Sequence, residues 1–145
     1  MICLDASVAV QLLIDERFSE AAQALVQDQF ERNETIIAPP TMPFEVANSL
    51  HKRGARRDFT LSSVDELIRR WITFPLVIEW ERDLHVASLV LAARFGISAS
   101  YDADYIVLAE RHRCDFWTDD RRLLAKLGDQ LPFVRWIGDF GAAET

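Results

Sequence analysis

A chain of 145 residues, half of them apolar and 27% charged, has the composition of a soluble globular protein long enough to enclose its own core. Its net charge of −7 excludes a protein that grips nucleic acid through a uniformly basic surface, but not a nuclease whose acidic pocket is neutralised by metal. No apolar run approaches the roughly 20 residues that span a bilayer. Met1-Ile2-Cys3-Leu4-Asp5 lacks the basic start and small-residue cleavage site of a secretory leader, and Cys3 and Cys114 each sit inside an apolar run, as buried reduced thiols do. A single domain over residues 1–145, cytoplasmic and without a membrane partner, is the expectation.

In chain order, the first element is the short apolar strand Met1–Leu4, followed by Asp5 and a helix starting near Ser7. Phe18–Arg32 carries Ala21, Ala22, Leu25, Val26 and Phe30 at the spacing of one helical face. Thr35–Ala38 is a β-branched run closed by Pro39-Pro40. Pro43–Leu50 reads as a largely apolar, buried helix on which Glu45, Asn48 and Lys52 form one polar stripe. It ends in the basic run Lys52-Arg53-Gly54-Ala55-Arg56-Arg57. A further helix opens at Thr60 and stops before Pro75, ahead of a strand over Leu76–Trp80. In Asp83–Phe95, Val86, Leu89, Val90 and Ala93 share a face, and Gly96 stands where a helix C-cap belongs. A helix over Tyr101–Arg111, a strand over Asp115–Thr118, a helix over Arg121–Leu127 and a strand over Phe133–Ile137 complete the chain. Strands separated by helices cannot pair as hairpins. The pattern therefore predicts a mainly parallel, roughly five-stranded sheet with helices on both faces. Ligands of such sheets bind beyond the carboxyl ends of the strands.

The acids gather at that edge. Asp5 directly follows the first strand, and Asp119 and Asp120 directly follow the fourth. Asp102 lies in the first turn of the helix after Ser100, and Glu45 lies in the first turn of its helix. Each has a plainer explanation: Asp5, Asp102 and the Asp119-Asp120 pair as helix caps, Glu45 as part of a solvated stripe. Asp104, two residues beyond Asp102, reads as solvent-facing. Four carboxylates opening onto one edge would repel each other and be costly to desolvate unless a cation lay among them. Oxygen ligands without His or Cys suit Mg²⁺ or Mn²⁺. His51, His85 and His112 show no ligand spacing and read as surface or structural.

Leu4-Asp5-Ala6-Ser7, Phe44-Glu45-Val46-Ala47-Asn48-Ser49-Leu50, Ser100-Tyr101-Asp102-Ala103-Asp104-Tyr105-Ile106-Val107-Leu108-Ala109 and Trp117-Thr118-Asp119-Asp120-Arg121-Arg122-Leu123 together resemble, in order, the four acidic motifs of the PIN-domain VapC toxins. The resemblance covers essentially the whole chain. It implies a three-layer α/β/α sandwich, Mg²⁺-dependent endoribonuclease activity, a homodimer, and inhibition by a cognate VapB-type antitoxin. Carried over, Asp5 and Asp102 are the principal metal ligands, Glu45 and Asp120 complete the acidic cluster, and Thr118 shapes the site. Ser7 and Asn48 are further candidates, and Asp119 competes with Asp120 for the fourth position. The Thr-x-Asp pattern assigns the pocket to Asp120 and leaves Asp119 as a more exposed acid. RNA contacts are expected from Lys52–Arg57. An antitoxin helix is expected on apolar surface around Val10, Leu13, Phe18 and Ala22. Competing readings are a non-catalytic PIN-like binding module, a receiver-like phospho-acceptor domain and a haloacid-dehalogenase-type phosphatase. The receiver lacks its acidic pair after the first strand and a lysine at a late strand end, and the phosphatase lacks its Asp-x-Asp.

Overall fold

Short apolar runs bounded by acids, prolines and polar turns become the strands of a computed structural model that describes residues 1–55 and 61–141. β1 (Ile2–Leu4), β2 (Ile36–Ala38), β3 (Leu76–Ile78), β4 (Asp115–Thr118) and β5 (Val134–Trp136) form one sheet in the order β3-β2-β1-β4-β5. Every pairing is parallel, with Cys3 opposite both Ile37 and Phe116, Ile37 opposite Val77, and Trp117 opposite Arg135. β1 and β2 are wholly buried and carry no polar side chain, as expected of central strands covered on both faces. The outer strand β3 is half exposed at Val77 and Ile78.

The helices are α1 (Ala6–Leu13), α2 (Ser19–Glu31), α3 (Met42–Ala55), α4 (Leu61–Ile72), α5 (Leu84–Phe95), α6 (Ser100–His112) and α7 (Arg121–Leu127). Right-handed crossovers put α1 to α4 on one face of the sheet, where the chain steps outward to β3. The return to β4 and the step to β5 put α5 to α7 on the other, which makes a three-layer α/β/α sandwich. α1 is covered on nearly every side because it lies against β4 and touches α2, α3 and α4. The Arg70 guanidinium donates to the carbonyls of Leu12 and Leu13 and satisfies groups the end of α1 leaves open. α6 is the core helix of the opposite face, its Tyr105 ring stacked on Phe116 at 5.4 Å. α5 ends at Gly96, whose φ of 63° is the left-handed cap conformation expected there.

Four expectations need correction. α5 buries Leu84, Ser88 and Ala92, one residue per turn, while Val86, Leu89, Val90 and Ala93 face outward. Small side chains let α5 approach α6 closely, so its bulkier apolar face is the free one. Asp104 is buried, not solvent-facing, because α6 is covered beyond its first turn. Burial raises its carboxyl pKa, against the nearby Ser88 hydroxyl and His85. Val10, Leu13 and Ala22 are core residues and Phe18 is half-buried, so they offer no free docking surface. α3 is not buried all round: Met42 and Val46 face the core, whereas Phe44 and Ala47 are exposed. Arg56, Arg57 and Thr60 lie outside the described residues. No single helix among the described residues is long and apolar enough to cross a membrane.

Candidate active site

The strand order reverses between β1 and β4: from β1 the chain moves to β2, from β4 to β5. A crevice opens at such a switch point beyond the carboxyl ends of the strands. Because Leu4 pairs with Trp117, the residues leaving the two strands there are Asp5 on one side and Thr118, Asp119 and Asp120 on the other. Asp5 takes the N-cap position of α1 without a side-chain capping hydrogen bond. Its Oδ2 instead accepts from the Ser7 hydroxyl at 2.8 Å and from the Thr118 hydroxyl. Those hydroxyls accept in turn from the next turn's backbone: Asp119 N–H donates to Ser7 Oγ at 3.1 Å, and Asp120 N–H to Thr118 Oγ1 at 2.9 Å. Two hydroxyl relays thus tie the β4–α7 turn to Asp5, and Thr118 is completely buried at their centre.

The adjacent acids do different work. Asp120 caps α7, Oδ1 accepting from Arg122 N at 2.8 Å and Leu123 N at 3.0 Å, and its charge is felt at both Asp5 and Asp102. Asp119 turns the other way. Its Oδ2 accepts from Gln11 Nε2 at 2.9 Å and its Oδ1 from the Trp136 indole at 3.3 Å. Like Asp120, it is of intermediate exposure. Both are half-buried, and direction rather than depth separates them.

Asp102 sits in the first turn of α6, beyond the cap residue Ala99. Glu45 sits in the first turn of α3, its Oε2 accepting from Tyr105 Oη at 3.1 Å. Its Oε1 and the Thr41 hydroxyl are both buried without a well-formed hydrogen bond, though Thr41 is close enough to lower the Glu45 pKa slightly. Asn48 is exposed on the next turn of α3. The basic run after it is partly committed elsewhere: Arg53 pairs with Glu16 at 2.6 Å and leans on Ser49.

Burial and mutual repulsion set the protonation of the cluster. Burial, then the Asp5 charge, pushes Glu45 up to about 7 against the Tyr105 hydrogen bond. Burial, then Asp5 and Asp120, pushes Asp102 up to about 6, with Lys126 opposing. Burial also raises Asp5, while the Thr118 and Ser7 hydroxyls pull it down. The Tyr105 phenol is held well above its usual range by burial and by the Asp5 and Glu45 charges, so it stays a donor. Glu45 and Asp102 therefore hold protons in the folded chain at pH values where the unfolded chain has lost them. Their contribution to stability is full below the ordinary carboxyl range and is lost as pH rises through 6 and 7. The metal-free protein should melt several degrees higher at about pH 5 than at about pH 8. Combining Glu45→Gln with Asp102→Asn should flatten that dependence in a calorimetric series, and an unchanged slope would show that other groups set it.

The donor set fits a hard divalent cation: carboxylates only, with Asp5 and Asp120 both raising Asp102 and the buried Glu45 Oε1 left unpartnered. Among the described residues no three His, Cys, Asp or Glu side chains close into a ready-made cage. That openness suits Mg²⁺, which keeps several waters and takes only one or two carboxylates directly. Gln11, Tyr105, Thr41 and Trp136 escaped the sequence reading. Two left a trace: Gln11 is the lone polar residue among the buried positions of α1, and Tyr105 stands one turn beyond Asp102.

No curated protein matches the chain. The PIN domain family matches residues 2–129, a span that contains all four acids and four of the five strands. Domains of that family are generally nucleases, hence hydrolases, and generally use divalent metal ions. With this parallel sheet and its acids at the switch point, the chain belongs to the PIN-domain family.

Proposed function

We propose that the chain is a divalent-metal-dependent endoribonuclease, the toxin half of a VapC-type toxin–antitoxin pair, acting in the cytoplasm. The observation that supports the reading is the electrostatic coupling at the switch point: Asp120 raises Asp5, Asp5 raises Glu45, and both raise Asp102. Asp5 and Asp102 would hold Mg²⁺ or Mn²⁺, with Asp120 adding charge from the α7 cap. The ion supplies a Lewis-acid contact to a phosphodiester oxygen and eases deprotonation of water. Glu45 would accept the water's proton, since a base works best with a pKa near the operating pH, and Tyr105 would hold its carboxylate. The Thr118 and Ser7 hydroxyls hold Asp5 Oδ2 and so fix the carboxylate.

Two partners follow from the same reading. A cognate VapB-type antitoxin would place an arginine or lysine among these acids, where a cation relieves the repulsion. A homodimer would cover the outward apolar face of α5, with Val86, Leu89 and Val90, and the neighbouring exposed Trp80.

The test is cleavage of total RNA by the purified chain with Mg²⁺ or Mn²⁺, with EDTA, and at rising pH. Cleavage should need the metal and increase through pH 6 to 7 as Asp102 and Glu45 deprotonate. Full cleavage in EDTA would overturn the metal mechanism. RNA binding without cleavage would favour a binding module. For the toxin role, expression should arrest growth, and a short neighbouring reading frame should relieve the arrest.

A further inference from the structure

A protein of net charge −7 whose site is a cluster of carboxylates repels the backbone it is to cut, so the strand needs a local cationic hold. In the basic run Lys52–Arg57, Arg53 is already paired with Glu16. Arg32, Arg69 and Arg111 are likewise paired with carboxylates, and Arg70 is spent on the carbonyls of α1. Among the described residues, Arg17 and Arg121 are two of several exposed basic residues that no ion pair involves, Lys52, Arg94, Arg122 and Arg135 being among the others.

These two arginines lie on adjoining aromatic rings. The Arg17 guanidinium is 5.0 Å from the Phe18 ring centre, and Phe18 meets Trp136 edge-on at 5.2 Å. Arg121 lies 4.3 Å over the Trp136 ring. The ridge is fixed in place: a Cβ at Gly138 would fall 2.4 Å from the indole, so backbone presses against Trp136, and the indole N–H is anchored on Asp119. Arg121 directly follows Asp120, so the ridge begins at the edge of the acid cluster. Arg17 and Asp119 line a hollow of about 320 Å³, and Arg121 and Trp136 line another of about 720 Å³.

We propose that this ridge, Arg17-Phe18-Trp136-Arg121, is the RNA-holding subsite: it takes the phosphates of a single-stranded segment passing into the acid cluster. The proposal rests on the nuclease reading and adds to it the residues that hold the strand. A guanidinium held over a ring can still donate N–H groups to phosphate and stack with an unpaired base. Asp129 and Asp139 on the wall of the larger hollow repel phosphate and keep the strand on the arginine side.

The experiment measures kcat and KM for a labelled single-stranded oligoribonucleotide in Mg²⁺ across a KCl series. It compares the wild-type chain with Arg17→Ala/Arg121→Ala and with Arg121→Lys. The double variant should raise KM about tenfold with kcat nearly unchanged, and lower the log–log salt slope by about 1.4, at roughly 0.7 per phosphate contact on a single strand. Arg121→Lys should keep the slope and recover part of the affinity. Both arginines are exposed and in no ion pair among the described residues, so melting should fall only slightly, through loss of their ring contacts, and a cooperative transition verifies the fold. Wild-type KM and slope in the double variant would overturn the ridge while leaving the nuclease reading standing. A fall in kcat at constant KM would assign the arginines to chemistry and also overturn it. A wild-type chain that cleaves no RNA would remove both. Displacement of RNA by polyglutamate more readily than by a second RNA would assign the ridge to an acidic protein partner instead.

Discussion

Asp5→Asn and Asp102→Asn should each lower RNA cleavage by about a hundredfold or more, the scale of losing one preorganised electrostatic contact at a reacting centre. Both should leave the metal-free protein as stable as wild type, or more so. The two halves of this result belong together. Asp5 acts on two other acids: its charge helps to raise Asp102 and Glu45, while its own carboxyl is raised by burial. A charge that costs free energy in the empty site is there for something that binds. The neutral amide keeps an acceptor for the Thr118 and Ser7 hydroxyls, so the relays to the β4–α7 turn survive. The measurement is cleavage rate beside melting temperature at neutral pH. A variant that loses activity because it unfolds would mean that Asp5 serves the start of α1 and not a ligand. The Mg²⁺-induced rise in melting temperature should also disappear in either variant, a readout independent of turnover.

Asp120→Asn and Asp119→Asn should separate activity from stability in opposite directions. Asn caps a helix about as well as Asp, so Asp120→Asn keeps the hydrogen bonds from Arg122 and Leu123 and the protein melts normally. It removes a charge felt at Asp5 and Asp102, and cleavage should fall by about tenfold to a hundredfold, the range seen when a group that tunes metal ligands is lost. In Asp119 both carboxylate oxygens are engaged by donors, Gln11 Nε2 and the Trp136 indole. An amide offers one acceptor where two are needed and sets an N–H against another, which should cost about 1–3 kcal/mol of stability. Cleavage per folded molecule at saturating RNA should change little, any loss appearing in KM through the Trp136 anchor. Equal losses of activity would bring Asp119 into the metal shell, and the reverse order would move the register by one residue.

The sequence by itself determined the elements and where along them the acids fall. Strands such as Ile2–Leu4 and Ile36–Ala38 are legible because a strand buried on both faces is an unbroken apolar run stopped by a polar or proline turn, which is a local fact. Gly96 at the end of α5 and Asp120 at the start of α7 are equally local, fixed by backbone conformation and capping chemistry. Parallel pairing followed from helix-length connections, and with it the edge at which Asp5, Asp102 and Asp120 lie. Tertiary structure decided which way side chains turn and what they meet. Helical spacing shows that Val86, Leu89 and Val90 share a face, but not that small residues on the opposite face pack better against α6 and leave them outside. It could not reveal that Asp104 is covered, that Arg53 is neutralised by Glu16, or that Arg17 and Arg121 are not. Thr118 reaches Asp5 across 113 residues and Gln11 reaches Asp119 across 108, contacts that exist only because β1 and β4 are neighbours in the sheet. Periodicity is a property of one segment, whereas burial, pairing and a shifted pKa are properties of two or more segments brought together.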